Sequence, residues 1–263
     1  MRIKSISKVL NICFSPTGAT KKAAEILISG LGLRSETEFV DLSDPDFQKG
    51  SISVDRDDLC VLALPSFKGR APAEAMERLE MIDGNNALMI LLCSYGNREY
   101  EDTLLEMRDG AVKAGFIPVA GVAAVTEHSK LRSVAKGRPD NADGKTLAAF
   151  AEKILNELST KEDSEYNLFV PGNYPYKVLP ESYATIVHGG DCLDCEACLK
   201  KCPVRAIYKD KDGYHTGANC IGCMRCVAIC PKGNRRMTES EEIFISKILS
   251  DSKNIRKEYE LFL

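Results

Sequence analysis

Eight cysteines near the C-terminal end of the chain have a spacing that favours metal-cluster chemistry. They lie in two runs, CLDCEACLKKCP and CIGCMRCVAICP, and both runs read C-x2-C-x2-C-x3-C-P. In this pattern a tight loop brings three thiolates to an iron–sulfur cubane, and the fourth comes from the other run. The spacing therefore predicts two [4Fe–4S] clusters with interleaved ligands. The first would be held by Cys192, Cys195, Cys198 and Cys230. The second would be held by Cys202, Cys220, Cys223 and Cys226.

Zinc is the alternative metal for clustered cysteines. A structural zinc site uses two paired C-x2–4-C knuckles, with four ligands for one ion, and has no use for a third cysteine in each loop. Pro203 and Pro231 end the two runs and turn the chain away. Residues 188–238 carry nine Lys and Arg against five Asp and Glu. This excess offsets the negative charge of thiolate-bound clusters and does not predict a nucleic-acid site.

The bulk composition excludes several classes of protein. The chain has 263 residues, 44% of them hydrophobic, and a formal net charge of −3, which gives no bias toward nucleic acid. No apolar run is long enough to predict a membrane span, and the N-terminal stretch lacks the features of a secretory signal. We therefore expect a cytoplasmic protein. Three further cysteines lie in apolar runs and are expected to be small buried side chains, namely Cys13, Cys60 and Cys93.

The elements that position any site in the front part alternate between strand and helix patterns. Five short apolar runs are typical of parallel strands covered on both faces, at 8–14, 37–42, 58–64, 87–93 and 117–125. Helical patterns lie between them, and apolar residues from Leu147 to Leu158 recur at helical spacing. The alternation predicts an α/β domain with a doubly wound, five-stranded parallel sheet. Ligands of such sheets bind beyond the carboxyl ends of the strands.

The loop SPTGAT follows the first predicted strand and begins a helix. Its hydroxyls, its glycine and the free N–H groups of the helix N-terminus together predict a phosphate cradle. The same residue types also cap helices when no ligand is bound. The cradle would consist of Ser15, Thr17, Gly18, Ala19 and Thr20.

The pattern S-x-T-G-x-T after the first strand resembles the flavodoxin phosphate loop, and this resemblance implies that the domain binds FMN. The loops after the third and fourth strands, PSFKGRAP and SYGNREY, would then hold the isoalloxazine ring. The implied contacts are Pro65, Ser66, Phe67, Lys68, Gly69, Ser94, Tyr95, Gly96, Asn97, Arg98 and Tyr100. Three of them, Phe67, Tyr95 and Tyr100, are candidates for stacking on the flavin, with ordinary loop packing as the alternative for each.

Nearly the whole chain resembles a family of anaerobe-type flavodoxin–ferredoxin fusions, with PSFKGRAP, YGNREYEDTL, TEHS, GRPD and VPGNYPYK as landmarks. The resemblance implies a flavodoxin-like domain over 1–160, a linker over 161–187 and a small α+β two-cluster ferredoxin domain over 188–238. A helical tail is expected over 239–263. Its apolar stripe would pack across the ferredoxin domain or dock a partner, and consists of Phe244, Ile245, Ile248 and Leu249.

Two connecting segments are expected to affect how the domains work together. Residues 126–143 form a long connection before the last helix of the front domain. This segment is either a lid that carries His128 toward the flavin or an exposed loop with an incidental histidine. The linker sequence PGNYPYKVLP has three prolines and predicts an extended, semi-rigid strap that keeps the two domains close.

The two domains together predict an electron-transfer flavo-iron–sulfur protein. FMN and two [4Fe–4S] clusters would exchange electrons with other redox proteins, because no NAD(P) site is evident. The alternative is a ferredoxin-coupled flavin reductase that acts on a small organic substrate. A third interpretation is a flavin-free adaptor whose front domain docks partners. The sequence leaves the direction of electron flow and the oligomeric state open.

Overall fold

The computed structural model describes residues 6–50, 52–179, 186–190 and 192–263 of the chain. In the front part strands and helices alternate as predicted. The elements are β1 (Lys8–Cys13), α1 (Ala19–Gly30), β2 (Glu36–Asp41), β3 (Leu59–Pro65), α2 (Ala73–Leu79), β4 (Leu88–Tyr95), α3 (Thr103–Lys113), β5 (Ile117–Val125) and α4 (Asn141–Thr160). Within the described ranges, none of the helices is long and apolar enough to cross a membrane.

Strands β1 to β5 form a parallel sheet in the order β2-β1-β3-β4-β5, which confirms the predicted flavodoxin-like topology. The centre of the sheet is apolar across its register, since Ile12 lies beside Leu62 and Leu62 lies beside Leu91, all fully buried. Both faces are covered, because α1 packs on α4 and α2 packs on α3. This double burial explains why the strands read as continuous apolar runs. Three further cysteines are buried in β1, β3 and β4, as predicted: Cys13, Cys60 and Cys93.

The connector after α4 is fixed against helix α3. The Asp102 carboxylate, which precedes α3, accepts two backbone N–H groups of the connector, at 2.9 and 2.7 Å. The Asp109 carboxylate accepts two tyrosine hydroxyls from the same segment. The predicted strap is therefore held on the front domain at residues 173–177. Residues 180–185 of the predicted linker lie outside the described residues, as does Asp191.

The C-terminal part is a small α+β module. Its elements are β6 (Ile186–His188), α5 (Ala197–Lys200), β7 (Ile207–Asp210), β8 (Gly213–Thr216), α6 (Arg225–Ile229) and β9 (Arg235–Met237). Strands β6 and β9 form one antiparallel pair, and β7 and β8 form another. Its buried apolar core consists of Ile186, Cys202, Ala206, Ile207, Tyr214, Met224, Cys226 and Met237. A core this small leaves much of the folding energy to be supplied by bound metal.

Arginine side chains connect the module to the front domain, and one of these contacts is the ion pair of Arg205 with Asp46. The Arg225 guanidinium donates to the carbonyl and hydroxyl oxygens of Ser43, at 2.9 and 2.8 Å. The Arg78 guanidinium, from α2, donates to the Pro203 carbonyl at 2.7 Å. Cys223 of the second cysteine run is packed into the apolar core of the front domain. The two parts therefore share a packed interface.

The tail is only partly helical, and the sheet gains a strand from it. Helix α7 (Glu239–Ile248) is followed by β10 (Glu260–Phe262), which pairs antiparallel with β5. Without β10 the outer edge of β5 would present unpaired N–H and C=O groups. Tyr259 anchors this return, because its ring is buried and its hydroxyl donates to the Val125 carbonyl. The sheet therefore has six strands rather than the five predicted, and the predicted helical tail ends at α7.

The apolar stripe predicted for the tail is divided between core and solvent. Leu249 is buried. Phe244 is 59% exposed and Ile248 is 44% exposed. The expected packing across the module is therefore not found for these two side chains.

Residues 127–138, here called the roof loop, close on themselves at the carboxyl end of the sheet. The ends of the loop meet because the Glu127 N–H donates to the Arg138 carbonyl at 3.1 Å. The Arg138 guanidinium is buried and donates twice to the Asp143 carboxylate, at 3.0 and 2.6 Å. Asp143 lies in the first turn of α4, so this pair fixes the roof loop to the helix that follows it.

We expect Asp143→Ala to lower the free energy of unfolding by about 3 kcal/mol or more, because it leaves the buried Arg138 charge unpaired. The matched control is Glu80→Ala, which removes the partner of Lys113 in a pair whose side chains are 47% and 68% exposed. That change should cost less than about 1 kcal/mol. Anaerobic urea denaturation of both variants measures the difference, and equal losses would contradict a stabilising role for the buried pair.

Candidate functional site

The cysteines of the two runs line two separate cavities. Cavity I is lined by Cys192, Cys195, Cys198 and Cys230. Cavity II is lined by Cys202, Cys220, Cys223 and Cys226. These are the two interleaved sets expected from the spacing, in which each run contributes three cysteines to one cavity and one to the other. That iron–sulfur clusters occupy the cavities stays a prediction.

The two runs repeat the same backbone contacts to sulfur. The N–H two residues after the first cysteine of each run donates to that cysteine, at 3.4 and 3.5 Å. The N–H four residues after the last cysteine donates to that sulfur, at 3.2 and 3.3 Å. Such N–H···S bonds favour the thiolate form and tune the potential of a bound cluster. The four donors are Asp194, Gly222, Ala206 and Asn234.

Left-handed backbone recurs at matching positions of the two runs. Glu196 and Met224, each directly after the second cysteine of its run, have φ of 58° and 65°. Asp194 and Gly222, each directly before that cysteine, have φ of 53° and 62°. Positive φ is uncommon outside glycine. Its repetition at paired positions indicates that the two cysteine loops have the same backbone conformation.

Cavity II is more deeply buried than cavity I. Cys223 and Cys226 are buried, whereas Cys192 and Cys195 of cavity I are exposed. Burial raises the pKa of the Cys223 and Cys226 thiols to about 12, so their thiolates need a cationic partner. Iron supplies this charge, because a coordinating thiol is deprotonated. The donor set therefore fits an iron–sulfur cluster.

Each set of four cysteines lines a cavity of its own. A zinc ion would hold four sulfurs at about 2.3 Å from one centre. Across the described part of the chain, which includes all the cysteines of both runs, no three or more His, Cys, Asp or Glu side chains gather closely enough to hold one metal ion. Four cysteines around each cavity are the number of ligands that a [4Fe–4S] cubane takes.

A third cavity, here called the interdomain cleft, lies at the carboxyl end of the parallel sheet. The loops after β1, β3 and β4 line it, and residues 126–129 of the β5 loop form another wall. Cys223 reaches it from the module. Nine of the implied FMN contacts lie in its lining: Thr17, Ala19, Thr20, Pro65, Ser66, Phe67, Ser94, Tyr95 and Gly96.

The other implied FMN contacts lie outside the lining of the cleft, and are Ser15, Gly18, Lys68, Gly69, Asn97, Arg98 and Tyr100. Several of these side chains hold other parts of the fold. The Asn97 amide donates to two carbonyls of the tail, both at 2.7 Å. The Arg98 guanidinium pairs with Glu101. These two side chains therefore secure the loop and the tail.

The candidate stacking residues differ in their surroundings. The rings of Tyr95 and Tyr100 pack on each other with centroids 5.2 Å apart, and the Tyr100 hydroxyl donates to Glu260 of β10. This is the loop-packing alternative, and Tyr100 does not reach the cleft. Phe67 is half-buried, lines the cleft and packs edge-to-face with Phe14, at a centroid distance of 6.3 Å. The stacking role of Phe67 stays a prediction.

Helix α1 begins with the features of an anion site. Gly18 occupies its N-cap with φ of 92°, no side chain caps it, and its first turn has no acidic residue. Ser15 Oγ accepts the N–H of Lys21 at 3.0 Å. Within the described chain, the N–H groups of Ala19 and Thr20 donate to no other group. Free N–H groups at the positive end of a helix dipole attract phosphate.

His128 brings a fixed hydrogen-bond donor to the cleft. Its Nδ1 accepts the N–H groups of Lys130 and Leu131, at 3.2 and 3.1 Å. Burial, followed by the charges of Lys130 and Arg98, lowers the pKa of His128 to about 4, so the ring is neutral near pH 7. Because Nδ1 accepts, the proton lies on Nε2. The ring packs over Gly96, where a side chain would collide with it.

Residues 185–243 match the family model of the 4Fe-4S dicluster domain. A comparison with curated proteins found no match. Among solved structures, rubredoxin oxygen:oxidoreductase from Desulfovibrio gigas shares 16% identity over 60% of this chain, with a TM-score of 0.42. The match spans only 39% of that longer chain. An apo NADH:FMN oxidoreductase shares 16% identity over 60% of this chain and 92% of its own, with a TM-score of 0.43. An archaeal flavodoxin shares 10% identity over 58% of this chain and 99% of its own, with a TM-score of 0.40.

The strand order of the sheet and the matched family model together describe the architecture. The chain joins a flavodoxin-like domain to a 4Fe–4S dicluster domain. The dicluster domain contains both cysteine runs and cavities I and II. The flavodoxin-like domain contributes three loops and one end of the roof loop to the interdomain cleft. These two domain types are those of a redox protein that transfers electrons.

The buried His128 ring predicts a pH-dependent stability. Its folded pKa of about 4 lies below the ordinary value of 6.5, so the unfolded chain protonates first as pH falls. The stabilisation is therefore complete above pH 6.5 and is lost progressively toward pH 4. From this group alone we expect a loss of about 2 kcal/mol between pH 7 and pH 5. His128→Gln should be that much less sensitive to pH.

Anaerobic urea denaturation at pH 7 and pH 5 measures this difference. The control is His215→Gln, which removes an exposed ring and leaves His128 in place. That variant should keep the pH dependence of the unmodified chain. An unchanged pH dependence in His128→Gln would show that this ring is not buried in its neutral form.

Proposed function

We propose that this protein is an electron-transfer flavo-iron–sulfur protein, with FMN in the interdomain cleft and a [4Fe–4S] cluster in each of cavities I and II. It would exchange electrons with other redox proteins. One observation carries the proposal, namely that Cys223 lines both cavity II and the interdomain cleft. A single residue thus borders an implied cluster site and an implied flavin site.

FMN takes electrons singly or in pairs, whereas each cubane passes one electron at a potential set by its surroundings. The contribution of the chain is position. Arg225 on Ser43 and Arg78 on Pro203 hold cavity II at the cleft. Tethering of two domains raises the effective concentration of one redox centre near the other to roughly millimolar. In a docked interface the two centres are held side by side and need not diffuse together.

The two cavities differ in access, which supports different roles for them. Cys192 and Cys195 of cavity I are exposed, and Leu193 between them is 58% exposed. Cavity II has three buried cysteines in its lining, namely Cys202, Cys223 and Cys226. A redox partner would therefore approach cavity I, while cavity II serves the cleft.

The residues of the cleft suit the different parts of FMN. The N-terminus of α1 would take the phosphate. Phe67 would offer a ring face to the isoalloxazine. The hydroxyls of Thr20 and Ser94, 2.7 Å apart and buried, give the cleft a polar floor.

The division into domains follows the same proposal. We assign 1–160 to FMN binding, 161–187 to the linker and 188–238 to the clusters, with the tail returning to the first domain through β10. A cytoplasmic location suits a chain whose cysteines must stay reduced.

A ferredoxin-coupled flavin reductase is the second candidate function. The observation that favours it is the neutral Nε2–H of His128 at the wall of the cleft. Among the described residues no group accepts a hydrogen bond from that nitrogen, so it is available to a small organic substrate.

Reconstitution with iron, sulfide and FMN under anaerobic conditions tests the electron-transfer proposal. We expect about eight irons per chain, from two four-iron clusters, and one FMN. Phe67→Ala should weaken FMN binding about tenfold, as loss of an aromatic contact worth about 1.4 kcal/mol predicts. The control is Phe39→Ala on β2, outside the lining of the cleft. Zinc in place of iron, or no affinity for FMN, would defeat the proposal, and the latter result would favour the flavin-free adaptor.

His128→Ala separates the two candidate functions. If the protein is an electron carrier, this variant should keep its FMN affinity and its rate of electron exchange with a redox dye within about twofold. If it is a reductase, turnover of a reducible organic substrate should fall by about 10²-fold or more, the usual contribution of a positioned proton donor. The His215→Ala control should change neither rate.

A further inference from the structure

Arg235 is a buried arginine at the wall of cavity I. It begins strand β9, is only 1% exposed and is among the largest fully buried side chains of the protein. It lines cavity I together with the four cysteines of that cavity. Charged side chains are almost never buried to this extent unless they are paired.

The guanidinium of Arg235 is mostly without partners. One nitrogen, Nη1, donates to the Thr216 hydroxyl at 3.0 Å. The other two, Nε and Nη2, are buried and have no hydrogen-bond acceptor among the described residues. The ring of Tyr214 lies 5.9 Å from the guanidinium carbon and offers only a weak cation–π contact. The described residues also give Arg235 no carboxylate partner.

A buried cation with two unused N–H donors needs an anion. A cubane held by four thiolates supplies one, since its net charge is negative and its sulfurs accept hydrogen bonds. The cavity that Arg235 lines is the space which such a cluster would fill. The unpaired guanidinium is therefore explained if a cluster in cavity I is its counter-ion.

We propose that Arg235 is the charge-compensating residue of the cluster in cavity I, to which its Nε and Nη2 groups donate. This inference rests on the proposed function, because it requires a cluster in that cavity. A buried positive charge favours the more negative, reduced state of its neighbour. Arg235 thereby makes the cluster of cavity I easier to reduce by one electron than it would otherwise be.

Cavity II has an arginine too, but its charge is engaged elsewhere. Arg225 lines cavity II, and its guanidinium donates to Ser43 and lies 3.7 Å from the Asp41 carboxylate. The charge of Arg235 also reaches Cys220 and Cys226 of cavity II, where it counteracts the rise in their pKa. Of the two cavities, however, Arg235 lines only cavity I, so its larger effect is expected on the cluster there.

The test compares two neighbouring arginines of β9 in the full chain. Arg235→Gln removes the buried charge, and Arg236→Gln removes an exposed charge one residue away. Both variants and the unmodified chain are reconstituted anaerobically and titrated with dithionite while EPR follows the two clusters. A Cys195→Ser variant, which alters a ligand of cavity I alone, assigns the signals.

We expect Arg235→Gln to shift the midpoint potential of the cavity I cluster to more negative values, by more than it shifts that of cavity II. Arg236→Gln should produce a smaller shift in both. Unchanged midpoints in Arg235→Gln, with full iron content, would overturn the inference while leaving the proposed function intact. A lack of iron in the unmodified chain would instead defeat the proposed function.

Arg235→Lys covers the case in which Arg235→Gln does not retain iron. Lysine keeps the positive charge but lacks the planar guanidinium of arginine. Arg235→Lys should therefore hold the cluster of cavity I, with a midpoint potential closer to that of the unmodified chain than the potential of Arg235→Gln. If Arg235→Lys also fails to hold iron, the residue acts through its shape and the charge-compensating role is wrong.

Discussion

Thiolates buried in the dicluster domain need positive charge, and the domain has too small an apolar core to stabilise itself without it. Its eight buried core residues include two of the cysteines themselves. Iron meets both needs, since metal binding both neutralises thiolates and supplies folding energy. The other features of the domain follow from this constraint: the paired N–H···S bonds, the left-handed residues of each loop and the unpaired guanidinium of Arg235 all surround the two cavities.

The dicluster domain is held to the flavodoxin-like domain from both ends of its sequence. Before it, the connector binds Asp102 and Asp109 of the α3 region. After it, the tail adds β10 to the edge of the sheet. Between them, Cys223 packs into the core of the front domain. With these three attachments the cysteines of cavity II stay at the interdomain cleft, so the geometry between the two implied cofactor sites does not depend on chance encounters of tethered domains.

Much of this architecture was predictable because the signals are local. Cysteine spacing separates the two cavities, and continuous apolar runs locate the five parallel strands. The missed features depend on contacts between distant parts of the chain. Nothing in the three residues of β10 indicates that they will pair with β5. Asn97 and Tyr100 have the composition of a flavin loop, yet their side chains bind the tail, whose return the sequence does not reveal. The position of Cys223 in the cleft is equally non-local.

We infer that the cleft and cavity II are adjacent cofactor sites. Crystallography of the reconstituted chain with iron anomalous scattering tests it most directly. We expect iron density in cavities I and II, and flavin density among the loops after β1, β3 and β4, against the Cys223 loop. Single-ion density in either cavity, or a flavin bound away from Cys223, would contradict it.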